Sequence, residues 1–451
     1  MRLRGTMRVN EAGRLEIGGC DTVELAERFG TPLYILDEAA FTARVAELAA
    51  AFQAAYPGEV ALVYAGKAFL TVGFARLLAS LGLWLDVASG GELYTAKAAG
   101  FPPERLLVHG NNKSDEELRM SLEGGAGRLV VDNLPELRRL IRLAQGKAVQ
   151  TRLLLRIRPG IPVHTHNHMQ TGQEDSKFGL GPDEITQAVS LLRDAPHLRL
   201  VGLHAHLGSQ LHDPEPYRRL AEGMVAWLER VGELYGQPLT ELDVGGGWAV
   251  AYREGDREPP IGLWAEAVGT GVQEAAAARE MPLPRLLVEP GRIAIAPAGT
   301  TLYRVGAVKT IPGVRRYVVT DGGLYENVRA ALYGANYEAA AANKMTAPPD
   351  RSLPTRVVGK NCESGDVIAD NVALPPLEPG DLVAVPVTGA YHYSMASNYN
   401  RLPRPAVVVV HEGEAELLVE RESYADLIRH DRIPARWVQA GALPESVSRR
   451  P

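Results

Sequence analysis

Ala61-Leu62-Val63-Tyr64-Ala65-Gly66-Lys67 is a run of small and apolar residues that stops at one amine, after which the chain turns into Ala68-Phe69-Leu70-Thr71. A short apolar run bounded in this way reads as a buried strand. Working outward, the same kind of run recurs at Leu83–Val87, Leu106–His109, Leu129–Asp132, Leu153–Ile157, Leu200–His204, Leu242–Val244 and Leu286–Val288, with helix-patterned segments between them. Two of those helices have explicit starts: Ser114-Asp115-Glu116-Glu117 and Asn133-Leu134-Pro135-Glu136 each offer a capping side chain and an acidic first turn. Eight βα units in about 230 residues predict a closed (β/α)8 barrel, for which about 250 residues is typical. The competing doubly wound open sheet lacks its usual first-strand glycine fingerprint here.

Beyond about residue 295 the pattern changes to alternating runs with frequent Pro/Gly turns, as in Arg316-Tyr317-Val318-Val319-Thr320, Asp381-Leu382-Val383-Ala384-Val385 and Ala406–Val410. That predicts a mainly antiparallel β domain, which Leu15-Glu16-Ile17 and the following Gly-Gly turn are expected to join. The expected organisation is α/β, with residues 1–35 and 296–451 forming a β-barrel domain and residues 36–295 forming the (β/α)8 barrel. The alanine run Ala339–Ala342 predicts helix, alanine being the strongest helix former.

With 451 residues the chain exceeds the size at which one core keeps growing, which agrees with two domains. Its 46% hydrophobic and 23% charged residues are those of an ordinary globular protein. A net charge of −6 and the absence of a Lys/Arg cluster interleaved with aromatics argue against a nucleic-acid partner. No apolar stretch approaches the roughly 20 residues of a membrane helix. The basic start, Met1 to Met7, lacks the apolar region of a signal peptide, so a cytoplasmic enzyme is expected. Two cysteines, Cys20 and Cys362, are too few for a disulfide framework or a zinc site, and no metal is expected. Cys362 lies among polar residues in Asn361-Cys362-Glu363-Ser364-Gly365-Asp366, a setting for a functional thiol rather than a structural one.

In a βα barrel the chemistry gathers at the C-terminal strand ends. Here those ends carry Lys67, Asp86, Arg156, His204-Ala205-His206-Leu207-Gly208-Ser209, Gly245-Gly246-Gly247 and Glu289-Pro290-Gly291-Arg292. Strand-end lysines are common, and one alone would merely snorkel into water. Three consecutive glycines let backbone N–H groups approach an anion. Of the two histidines, His206 lies nearer the loop and Ser209. An amine, a phosphate cradle, an imidazole able to stack and an acid able to protonate a ring nitrogen are together what pyridoxal phosphate needs. An acid at that nitrogen favours loss of carbon dioxide over racemisation.

The motifs Tyr64-Ala65-Gly66-Lys67-Ala68, Leu85–Leu93, His109-Gly110-Asn111-Asn112-Lys113, Glu174-Asp175-Ser176-Lys177-Phe178-Gly179, His204–Gln210, Glu289–Arg292, Cys362–Asp366 and Gly389-Ala390-Tyr391 lie in family order from about residue 10 to 430. With them the chain resembles the diaminopimelate decarboxylases, fold type III pyridoxal-phosphate enzymes of lysine biosynthesis. The Cys-Glu-Ser-Gly-Asp segment and the run Tyr393–Asn400 are the features specific to that branch. The resemblance implies that Lys67 carries pyridoxal 5'-phosphate, that Asp86 lies close to it, and that His206 stacks on the ring. Ser209, Gly245, Gly246 and Gly247 bind the phosphate on this reading, and Glu289, within Glu289-Pro290-Gly291-Arg292, meets the ring nitrogen. Arg292, Arg329 and Tyr333 would hold substrate carboxylates, and the i, i+4 spacing of the last two puts them on one helix face. Tyr391 would touch both cofactor and substrate, Glu363 the distal ammonium. Cys362 would protonate the carbanion, reaching the site from the partner subunit of a homodimer with shared active sites. Gly66 and Phe69 depart from the commonest family residues, and His392, replacing a common glycine, is expected to bear on the substrate end of the pocket.

Overall fold

The computed structural model describes residues 1–146, 150–160 and 176–437. Eight parallel strands, Val60–Ala65, Trp84–Val87, Leu106–Val108, Arg128–Val131, Thr151–Arg156, Leu198–His204, Glu241–Asp243 and Arg285–Val288, close into a barrel. The eighth strand pairs with the first, Leu286 opposite Val60 and Val288 opposite Leu62. All eight expected strands are present, and so are the helix starts. Ser114 and Glu117 form a reciprocal capping box, and Asn133 accepts the Glu136 N–H at 2.9 Å.

The alternation of a strand decides what the barrel holds. Ala61, Val63, Leu107, Val130, Leu154, Val201 and Leu287 pack together inside it, while Leu286 and Val288 face the helices. One layer lower, Arg128 donates to Glu241 Oε2 at 2.8 Å and lies 4.4 Å over the Trp84 ring, filling the N-terminal end with a buried, fully bonded ion pair. One step above the apolar layer, two residues beyond Leu107, Val130, Leu154 and Leu287, stand His109, Asp132, Arg156 and Glu289. The apolar layer is therefore the floor on which the chemistry stands.

Nine of the remaining strands form a mainly antiparallel sheet. Its centre is the 13-residue strand Gly299–Ile311, which pairs with Arg315–Thr320, Leu382–Pro386 and, from the other end of the chain, Leu33–Asp37. Leu33–Asp37 also lies parallel to Ala406–His411, so the sheet is built from both ends of the chain. The strand Leu15–Ile17 does not enter this sheet. With Arg8–Val9 and Cys20–Asp21 it makes a three-stranded sheet of its own, joined to the β domain by the Leu15 N–H to Ala342 carbonyl bond of 2.7 Å and by packing of Leu15 and Ile17 on Leu33, Leu382 and Val408.

The alanine run is not helical. Ala340–Ala341 is a strand paired with Leu382–Pro386, and Ala341 and Ala342 are buried. The strand pairing overrides alanine's helix propensity here.

Candidate functional site

A cavity of about 530 Å³ opens between the barrel's C-terminal mouth and the β domain, within the range of small-molecule sites. Lys67 reaches it from a turn of 3-10 helix, Gly66–Ala68, that follows the first strand. Its side chain is exposed to the cavity. Burial works against its charge, but Tyr391, Asp86 and Glu289 outweigh that effect and place its pKa above the ordinary lysine value.

Glu289 is buried at the end of the eighth strand, where His109 Nε2 lies 2.9 Å and His204 Nε2 3.5 Å from its Oε1. Burial opposes its charge, yet the two imidazoles prevail and hold its pKa well below the usual carboxylate range. His204 is pushed down to about 3 by burial and is neutral. Burial and the nearby Lys67 also keep His206 uncharged at neutral pH. The Gly246 N–H donates to His206 Nδ1 at 3.2 Å, which fixes the tautomer with its proton on Nε2 and the ring in one orientation.

The glycine turn is forced by packing. A Cβ on Gly246 would stand 1.9 Å from the Glu289 carbonyl oxygen, and one on Gly247, at φ 104°, would stand 1.9 Å from that of Gly208. Only glycine lets the backbone lie this close to its neighbours, and of the three glycines Gly247 is the one that lines the cavity. Tyr217 donates its hydroxyl to the Gly246 carbonyl from behind.

On the far wall Arg292 donates to Ser209 Oγ at 2.9 Å and to the Tyr252 hydroxyl, with its guanidinium 4.7 Å over the Tyr391 ring. Arg329, buried, donates to the Tyr337 hydroxyl at 3.0 Å and lies 5.5 Å over Tyr333 at the other end of the short helix Arg329–Tyr333. Burial opposes its charge, but the surrounding tyrosines raise its pKa further above the arginine range. Tyr391 sits at φ 61°, a costly conformation for a tyrosine, with its N–H bonded to the Ala68 carbonyl at 2.9 Å. The β domain is thereby tied to the lysine turn.

Lys67, Asp86, His206, Ser209, Gly247, Glu289, Gly291, Arg292, Arg329, Tyr333 and Tyr391 all line the cavity. Gly245, Gly246 and Pro290 stand one layer behind: the Gly245 carbonyl accepts the Glu289 N–H at 2.8 Å, and that of Pro290 accepts the Ala65 N–H at 3.3 Å. Cys362 and Glu363 do not reach the cavity within the chain; both are exposed on the loop between Thr355–Val358 and Val367–Val372. His392 does not face the cavity. It is buried, its Nε2 2.8 Å from the Tyr337 hydroxyl, so it acts on the pocket only through the tyrosine that holds Arg329.

Sequence reasoning left out His109 as a partner of Glu289, Asp243, Tyr252 and Phe178, the last lying 4.4 Å under the Arg156 guanidinium. The signal for His109 was the strand period, since it stands two residues beyond Leu107, which faces into the barrel. Glu174 and Asp175 of the Glu-Asp-Ser-Lys-Phe-Gly motif lie outside the described residues.

A lysine reaching into the cavity, a cradle with no room for a Cβ and a buried carboxylate on the same wall fit pyridoxal phosphate, and on this barrel they define a pyridoxal-dependent enzyme. A family model described as the pyridoxal binding domain of pyridoxal-dependent decarboxylases matches residues 42–296. The diaminopimelate decarboxylase of Bacillus subtilis is 46% identical over 434 residues, covering 96% of this chain and 98% of that relative. That of Mycobacterium tuberculosis strain H37Rv is 43% identical over 438 residues, covering 94% and 96%. Among solved structures, M. jannaschii diaminopimelate decarboxylase in co-complex with L-lysine matches with a TM-score of 0.88 at 32% identity, covering 96% of this chain and 99% of that one. The chain belongs to the diaminopimelate decarboxylase family.

Proposed function

We propose that this protein removes carbon dioxide from meso-2,6-diaminopimelate to give L-lysine, the last step of lysine biosynthesis, as a cytoplasmic homodimer whose two active sites are shared. The observation that carries the substrate reading is the cavity wall. Two buried guanidiniums, Arg292 and Arg329, with Tyr333 beside the second, stand across the same cavity as the Lys67 amine. A substrate with a carboxylate at each end needs such a wall, and a monocarboxylic diamine precursor does not.

When bound, pyridoxal phosphate supplies an electron sink for the pair that carbon dioxide leaves on the α-carbon. Lys67 would hold the cofactor through its amine, and Ser209 and Gly247, which line the cavity, would take its phosphate on the turn that Gly245 and Gly246 shape from behind. His206, uncharged and pinned by Gly246, would flank a bound ring, and anionic Glu289 would keep a proton on its nitrogen. Arg292, Arg329 and Tyr333 would bind the substrate carboxylates, and Tyr391, on the same cavity wall, would contact both cofactor and substrate. Cys362 delivers the proton that replaces the lost carboxyl group, and Glu363 takes the distal ammonium. Their exposure on one loop, away from this chain's own cavity, supports delivery from a partner subunit across a two-fold interface. The same proposal divides the chain into residues 1–35 and 296–451 for the β domain and 36–295 for the barrel.

Incubation of pure protein with pyridoxal phosphate and meso-diaminopimelate should release lysine and carbon dioxide, with Lys67→Ala inactive and lacking the visible band of the lysine-bound cofactor. Release of no lysine, with turnover of another diamino acid from a panel, would overturn the substrate assignment.

A further inference from the structure

Asp243 ends the seventh barrel strand with its side chain fully buried. Its Oδ1 accepts the Gly245 N–H at 2.9 Å. Its Oδ2 is buried with no donor aimed at it, and it belongs to a cluster in which one side-chain atom each of His109, His204, Asp243 and Glu289 lie within 4.8 Å of one another. Two ionised carboxylates at that distance, both out of water, repel too strongly to coexist, so one of them keeps a proton. Glu289 has two imidazoles against its Oε1, whereas Asp243 has only a backbone N–H. Lys67, Asp86 and Arg156 complete the charges around the cluster, and all three line the cavity.

We propose that Asp243 is a positioning residue that carries a proton and donates it in a hydrogen bond to Glu289, coupling the ring-nitrogen carboxylate to the phosphate-binding turn. Burial and the charge of Glu289 both push the Asp243 pKa well upward, in agreement with this assignment. The coupling runs through Gly245, whose N–H meets Asp243 Oδ1 and whose carbonyl meets the Glu289 N–H at 2.8 Å. A shift of the glycine turn, which grips one end of the cofactor, is thereby felt by the acid that grips the other end. The proposal rests on the reading that Glu289 faces the ring nitrogen.

The test compares Asp243→Asn, Asp243→Ala and Glu289→Ala, each checked for folding by circular dichroism and thermal melting without cofactor. A carboxamide reproduces a protonated carboxyl, accepting at one atom and donating at the other, so Asp243→Asn should keep the cofactor dissociation constant and the pH dependence of the holoenzyme's visible spectrum within about twofold of wild type. Asp243→Ala should weaken cofactor binding by about tenfold and displace the spectral titration. If Asp243→Asn is as damaged as Asp243→Ala, an ionised Asp243 is required and the proposal falls. It falls equally if Asp243→Ala binds cofactor like wild type while Glu289→Ala is impaired. If Glu289→Ala itself leaves binding, spectrum and turnover unchanged, the Glu289 reading fails and takes this proposal with it.

Discussion

Glu326 is buried in the β domain between two tyrosines: Tyr303 donates to its Oε1 at 2.7 Å, and the Tyr34 hydroxyl lies 2.8 Å from both its Oε2 and its own backbone carbonyl. The Tyr34 hydroxyl has one proton to give. If it serves the backbone carbonyl, Oε2 is best satisfied by a protonated carboxyl that donates to Tyr34. Burial accordingly pushes the Glu326 pKa up to about 7, against hydrogen bonds that pull it down. The folded state binds this proton more tightly than the unfolded chain, so this group stabilises the fold below its unfolded pKa of about 4.5, and that stability is lost as pH rises through about 7. At about 1.4 kcal/mol per unit, the loss amounts to roughly 3 kcal/mol once Glu326 is ionised. Glutamine mimics the protonated acid, its Nε2 donating to Tyr34 and its Oε1 accepting from Tyr303. Glu326→Gln should therefore be nearly neutral at pH 5 and more stable than wild type by about 2 to 3 kcal/mol at pH 8. Denaturant unfolding of the cofactor-free protein at both pH values measures this, and Asp366, whose pKa burial raises to about 6, cancels in the comparison because both proteins retain it. A stability difference independent of pH, or a destabilised variant at pH 8, would refute the reasoning.

Gly246→Ala should lose cofactor affinity by at least about tenfold, because its methyl group would have to displace the Glu289 backbone; titration of the visible absorbance measures it. Arg329→Met removes a charged partner for a carboxylate and should raise the substrate KM by about ten- to a hundredfold while changing kcat less. Cys362→Ala should lower kcat with the cofactor spectrum intact. Mixing Lys67→Ala with Cys362→Ala subunits should restore about a quarter of wild-type activity, since random pairing makes half the dimers mixed and each carries one intact site. No recovery on subunit exchange would count against shared sites.

The barrel was legible because each of its eight strands is a short leucine- or valine-rich run, and the strand period then carried much of the site. Val63, Leu107, Leu154 and Leu287 face the barrel interior, and the residues that follow at the same parity are Ala65 and Lys67, His109, Arg156 and Glu289. What periodicity could not supply was depth in the fold. Asp243 reads as an ordinary strand-end acid until the register of the seventh strand on the eighth, Asp243 opposite Leu287, sets it against Glu289. His392 is adjacent to Tyr391 in sequence, but the positive φ of Tyr391 turns the two side chains to different surroundings. The Ala339–Ala342 run failed for a similar reason, because strand pairing with Leu382–Pro386 is a distant event that no local propensity encodes.

The strand Leu33–Asp37 lies between Gly299–Ile311 and Ala406–His411, with Ile35 opposite both Thr300 and Val408. On a ribosome it would leave the exit tunnel long before either neighbour is synthesised, with its backbone N–H and C=O groups unpaired and all its side chains but Asp37 largely apolar. The whole barrel would be made in the interval. A barrel that collapsed early would protect one end of this segment through the helix Glu38–Ala55 that follows it, leaving the remainder as an edge open to other chains. The arrangement that ties the two domains together also sets the time during synthesis when the molecule is most prone to associate wrongly.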